Sequence, residues 1–277
     1  MPGKKSAVLI TKLTLLMNSI TRYIFFLLLI AIVLTSFSLS HVHKRLRTPS
    51  AKKVDLIIHF KTEIHSEPLI SGKNYLNSFN EPFAVNKFKF YISQIRLVGT
   101  DKLGTNDINK EDYFLIDFAD SNSTTIKFSS APRKYNHINF LLGVDSIHNV
   151  SGAQTGALDP AKGMFWTWNS GYVMAKLEGT SILSNQPGHA ITYHIGGYKE
   201  PNNVARNISL SFAGGRELEI NQEKKIEINI IVDINAWFVS PHPLHIKETA
   251  TCTTPGILAK NIADNYANMF TDVKIIN

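Results

Sequence analysis

Eight histidines follow residue 53: His59, His65, His137, His148, His189, His194, His242 and His245. A neutral imidazole is the commonest metal-ligating side chain and suits copper well. Beside them stands Met164-Phe165-Trp166-Thr167-Trp168, which holds two of the three tryptophans. Two indoles this close can form a stacking platform for a flat ligand, or a hydrophobic plug beneath a long connection. The single cysteine, Cys252, excludes both an intramolecular disulfide and a cysteine-rich metal centre. No Gly-x-Ser-x-Gly elbow, phosphate-cradling glycine loop, His-Glu-x-x-His or Cys-x-x-Cys occurs, so the familiar hydrolase, nucleotide and zinc-protease chemistries have no carrier. Asp145 and Asp159 could move protons, but loop aspartates ordinarily shape turns. The acidic stretch 107–120 lacks the spacing and glycine of a calcium loop. In His242-Pro243-Leu244-His245 the proline spoils any helical register.

The elements that must position these groups read as β-strands. Within the stretch 143–172, about twenty mostly polar residues lie between two strand patterns and end on the two indoles. A loop of that length in a compact domain is functional or disordered. Its aromatic content argues for order, built around the indole pair. Before it, 54–61 alternates with period two: Val54, Leu56, Ile58 and Phe60 share one face and His59 takes the other. Phe88, Phe90 and Ile92 alternate, then Ile95 and Leu97 continue in the opposite phase, which predicts a bulge. Further strands are predicted at 113–118, 124–128, 136–142, 171–178, 189–195, 204–212, 217–220 and 225–234. In 189–195, Ile191, Tyr193 and Ile195 form the apolar face, leaving His194 opposite with Ala190 and Thr192. Short strands with regular turn signals predict an all-β fold, an antiparallel β-sandwich with long loops. Near the end, Thr254-Pro255 reads as a helix start, and Leu258, Ile262, Tyr266, Met269 and Val273 recur at helical spacing. One C-terminal α-helix is predicted over roughly 255–270.

The net charge of +7 is a property of the N-terminus. Nine basic residues and no acidic one lie before Val54, so the remainder carries 20 basic against 22 acidic residues, a net −2. A nucleic-acid-binding domain needs a basic face, and that class is rejected. The uninterrupted apolar run 23–34 with basic residues before it and small residues after reads as an export signal, or as an N-terminal anchor of marginal length. The organisation expected is a signal or anchor over 1–40, a basic linker over 41–53 and one domain over 54–277. Without cysteine pairs, such an exported domain must rest on its core, which this length permits.

Three blocks carry a resemblance: 164–172 (MFWTWNSGY), 176–179 (KLEG) and 193–197 (YHIGG). Together with 90–97 (FYISQIRL), 143–146 (GVDS) and 265–270 (NYANMF), they resemble the MbnP-like copper-binding family, over nearly everything from Val54 onward. That resemblance implies a secreted or periplasmic β-sandwich that binds copper and is not an enzyme. In the family, copper is held by histidines together with a tryptophan oxidised to kynurenine by a di-haem oxidase of the MauG type. Ring opening turns an indole, which only donates, into a group with an amine and a carbonyl. Carried onto this sequence, Trp166 or Trp168 is the oxidised residue and His194 a ligand. His59 and His148 are the candidates for the second histidine. The competing readings are a ligand-binding sandwich that stacks flat molecules on the tryptophan pair, and an exported domain with a purely structural role.

Overall fold

The computed structural model describes residues 53–100, 105–168, 171–221 and 225–276, with Tyr23, Ile24 and Leu27; for 105–111 the backbone alone is described. The expected leader and linker therefore lie outside the described residues, apart from Tyr23, Ile24, Leu27 and Lys53. Among the described residues no helix is long and apolar enough to cross a membrane.

The body, Lys52–Asn277, is one compact unit. Its strands in chain order are β1 (Val54–Ile64), β2 (Glu67–Pro68), β3 (Asn74–Leu76), β4 (Pro82–Gly99), β5 (Thr105–Asp117), β6 (Thr125–Ser130), β7 (Lys134–Leu142), β8 (Phe165–Trp166), β9 (Gly171–Thr180), β10 (Ala190–Gly196), β11 (Arg206–Ser211), β12 (Leu218–Glu219), β13 (Ile226–Asp233), β14 (Thr251–Cys252) and β15 (Phe270–Ile276). The helices are α1 (Ser146–Val150), α2 (Ala236–Val239) and α3 (Ile257–Tyr266). One sheet runs β15-β13-β1-β2, with β6 also on β1. The other runs β11-β7-β4-β9-β10-β14, with β3 and β5 on β4, β12 on β7 and β8 on β9.

The two sheets form the predicted sandwich. Phe60 (β1) and Phe270 (β15) reach from one sheet to Phe90 (β4) and Phe140 (β7) of the other. Ring centroids lie 5.9 Å apart for Phe60–Phe90 and 5.0 Å for Phe140–Phe270. Such aromatic burial supplies the core that a disulfide-free domain needs. The period-two patterns named the inward residues: Leu56, Ile58 and Phe60 are buried, as are Ile228, Ile230 and Val232.

Two local expectations change and one holds. Not every pairing is antiparallel: β1 runs parallel to β13, and β10 to β14. A parallel pair needs a long crossover, and between β1 and β13 the chain builds all of the second sheet except β14. The predicted phase slip is present, with the register shifting between Ser93 and Ile95 around Gln94 at φ 52°. It lets Ile92 and Ile95 both face the core. The C-terminal helix is shorter than expected. It starts after Gly256, at φ 156°, without a side-chain cap from Thr254, and ends at Tyr266. Val273 belongs to β15, opposite Ile230; its apolar spacing suited a strand as well as a helix.

Candidate metal centre

His194 sits on the outer face of the second sheet, as alternation in β10 requires. It stands in register with Lys176 of β9, which faces Lys89 of β4, which faces Asp117 of β5. A polar row thus crosses four strands. Glu178, two positions along β9, accepts a hydrogen bond from His194 Nε2 at 2.8 Å. It also pairs with Lys87 at 2.9 Å and lies 3.8 Å from Lys176. Burial would lift the Glu178 carboxyl, but bonds from Lys87 and His194 outweigh it and hold the group below its ordinary value. For His194, burial first and the Lys176 charge second depress the imidazole despite Glu178. The ring is therefore kept neutral, the form that ligates metals. With Nε2–H held by a carboxylate, Nδ1 carries the lone pair. A metal-ligating histidine is commonly oriented in this way.

The loop, residues 143–168, folds over the same outer face. It is ordered, but polar anchors do as much as the indoles. The Asp145 side chain caps α1 by accepting from His148 N at 3.0 Å. The buried Asn149 donates to Val144 O and accepts from Tyr172 N at 2.9 Å. Tyr172 in turn donates its hydroxyl to Leu158 O. Asp159 caps the turn Pro160–Lys162, so both loop aspartates make turns. The two indoles fare differently. Trp166 is buried, whereas Trp168 is 63 % exposed and packs on it with centroids 5.3 Å apart. Only Trp166 acts as a plug. Its six-membered ring lies against Gly196, where a Cβ would come within 2.5 Å of Cζ3. Gly196 is two positions beyond His194, about 7 Å along the strand. One indole and the imidazole therefore do share a region of the sheet.

The candidate second histidines do not join them. His59 lies on the outer face of the other sheet, with the core between. Both its nitrogens are engaged, Nδ1 with Thr125 at 3.1 Å and Nε2 with Glu227 at 3.3 Å. Packed sheets lie about 10 Å apart, so His59 cannot reach His194. His148 is on the correct side of the sandwich, but its ring stands over Tyr113 of β5, centroids 4.8 Å apart. Strands β4 and β9 intervene before β10, three interstrand steps or about 14 Å. His242 and His245 go to separate partners, Asp264 at 3.4 Å and Glu81 at 3.9 Å. Among the described residues, no three His, Cys, Asp or Glu side chains converge to hold a metal ion.

The MbnP family profile matches residues 53–254. The chain belongs to the MbnP family. Among solved structures it is similar to MbnP from Methylosinus trichosporium, at 12% identity over 75% of this chain and 84% of that one, with a TM-score of 0.48. No curated protein matches. In this MbnP-family chain 164–168, 176–179 and 193–197 come together where β8 and β10 both lie along β9. Sequence reasoning gave Glu178 no role. Its signal was present, since Lys176 and Glu178 alternate with buried Leu177 and so share a face, but only the register puts Glu178 beside His194. Tyr113 was read merely as the edge of a strand.

Proposed function

We propose that this MbnP-family chain is an exported copper-binding protein, not an enzyme, which sequesters or delivers copper at His194 and an oxidised Trp166. The observation that carries the reading is the Glu178–His194 bond. It fixes the tautomer, leaves Nδ1 as a donor, and does so within two residues of the Gly196 seat of Trp166. Of the histidines considered, His59 has both nitrogens occupied. Conversion of Trp166 to kynurenine would add an amine and a carbonyl beside the imidazole. Two neutral donors suit Cu(I), whose preferred coordination number is low. Trp168, exposed and stacked on Trp166, is the indole that an external di-haem oxidase of the MauG type would meet first.

Competition titration of Cu(I) against a chromophoric chelator tests this reading. His194→Ala should abolish the tight site, and Glu178→Gln should weaken it about 10–100-fold, as loss of an orienting partner does. Equal affinity in wild type and His194→Ala removes His194 from the site. Peptide mass analysis of protein from its own host should find the Trp166 peptide with one oxygen gained and one carbon lost.

The exposed face of Trp168 favours a second reading, in which the indole pair stacks a flat ligand. A ligand that quenches tryptophan fluorescence equally in wild type and His194→Ala, with no copper bound by either, would support it over the first.

A further inference from the structure

Some 14 Å across the sheet from His194, three other donors meet. His148 Nδ1 lies 2.9 Å from Asp145 Oδ1, 3.0 Å from Asp145 Oδ2 and 2.7 Å from the Tyr113 hydroxyl. The Tyr113 hydroxyl also bonds to Asp145 Oδ2. Protons serve this triangle badly. The carboxylate brings none, the phenol brings one and Nδ1 of a neutral ring brings at most one. With both directed at Asp145, the Tyr113 oxygen and Nδ1 face each other at 2.7 Å and can only share the ring proton. With Nδ1 bare, its lone pair faces the carboxylate instead. One cation set off the plane of the three atoms, on the cavity side, would bind all three. Bonds of about 2.0–2.2 Å to nitrogen and oxygen put neighbouring ligand atoms about 2.8–3.5 Å apart, so the present triangle needs only a slight widening.

The three side chains are held for this. Asp145 and His148 are three residues apart across the start of α1, tied by the His148 N to Asp145 Oδ1 bond. Asn149 pins the helix to Val144 O and to Tyr172 N. Tyr113 comes from β5, which pairs with Ser93 of β4 at that point. A cavity of about 260 Å³, lined among others by Gln154, Thr155 and Leu158, opens on Tyr113 and His148. It leaves room for water or a further ligand on the exposed side of the cation.

We propose that Tyr113, Asp145 and His148 form a second metal site, which takes a borderline divalent cation of the Cu(II) or Zn(II) class. Phenol oxygen and carboxylate are harder donors than the imidazole and kynurenine groups of the His194 centre, so this centre differs in kind from that one. It also stands independently of that reading, because the two share no residue.

The test uses the full chain carrying His194→Ala, so that the other centre contributes nothing. Titration with Cu(II) should show one equivalent bound, with a phenolate-to-copper charge-transfer band in the visible. Tyr113→Phe, which keeps the ring and its packing, should abolish the band. Both Tyr113→Phe and His148→Ala should weaken binding by at least about tenfold. Zn(II) should raise the melting temperature of the His194→Ala chain but not of either double variant. Binding without the band, affinity unchanged in both variants, or no Cu(II) bound at all overturns the proposal.

Discussion

Gly196→Ala asks directly whether the Trp166 indole is seated where it is described. A Cβ built at Gly196 would lie 2.5 Å from Trp166 Cζ3, 2.8 Å from Cη2 and 2.8 Å from the Tyr172 carbonyl oxygen. Carbon atoms prefer about 3.5–4.0 Å, so the ring must retreat about 1 Å. It cannot do so freely, because Trp168 packs on it and the Tyr172 carbonyl is fixed main chain. Forcing a methyl into such a contact costs about 1–3 kcal/mol. The strand gains back about 0.5–1 kcal/mol from losing a glycine. From the middle of each range the net loss is about 1 kcal/mol, which for a domain of this size lowers the melting temperature by about 2–4 °C. Calorimetry measures the loss, and tryptophan emission should shift to the red as the plug lifts. In a Trp166→Ala background the methyl finds space on the ring side, so the same change should cost measurably less, with a coupling of about 0.5 kcal/mol or more. A melting temperature equal to wild type, or strict additivity in the double variant, would refute the packing described and remove the steric link between Trp166 and the His194 strand.

Other outcomes follow from the same geometry. Gly179→Ala should destabilise more than Gly196→Ala, because its Cβ would fall 1.9 Å from the Ala84 carbonyl oxygen of a paired strand, an atom that cannot swing aside; comparative melts decide. The His194 imidazole lies below its ordinary 6.5, by burial first and Lys176 second. Between the folded value and 6.5 the unfolded chain binds the extra proton, so this contribution is fully present above 6.5 and is lost as pH falls. Metal-free wild type should thus lose more melting temperature between about pH 7.5 and about pH 5.5 than His194→Gln does, and an equal loss would contradict a neutral, half-buried ring. Glu178, held below 4.5, titrates outside that window. Burial pushes the Cys252 thiol up to about 11, so at about pH 8 a thiol reagent should leave native protein untouched and label one thiol per chain after denaturation. Rapid labelling of native protein would show that the β14 edge opens.

Much of the candidate site was legible as residue types and faces. His194 and the Lys-x-Glu pair sit on the side of their strand that period-two alternation assigns. Partnership was not legible. His59 and His194 looked equivalent as outward histidines, yet they occupy opposite outer surfaces of the sandwich, and nothing local to either strand records which sheet it joins. His148 looked like a loop residue available to the centre, but Asp145 caps a short helix and turns the ring towards Tyr113. Asp145 to His148 carries little apolar periodicity, so a helix held by one aspartate and one asparagine escaped a reading based on periodicity.

The sequence by itself determined the β-sandwich class, the inward residues, a bulge between Ile92 and Ile95, the acidic balance of the body and the family blocks. The faces and the bulge follow from alternation within a few residues, and the balance and the blocks are read directly from residue types. Only the tertiary structure decided that β1 pairs with β13 in parallel, that Glu178 orients His194, that Trp166 rather than Trp168 lies against Gly196, and that Tyr113 meets Asp145 and His148. These are choices of register and sheet membership between segments far apart in the chain. They are set by how the aromatic core packs as a whole, and no short window of sequence contains that information.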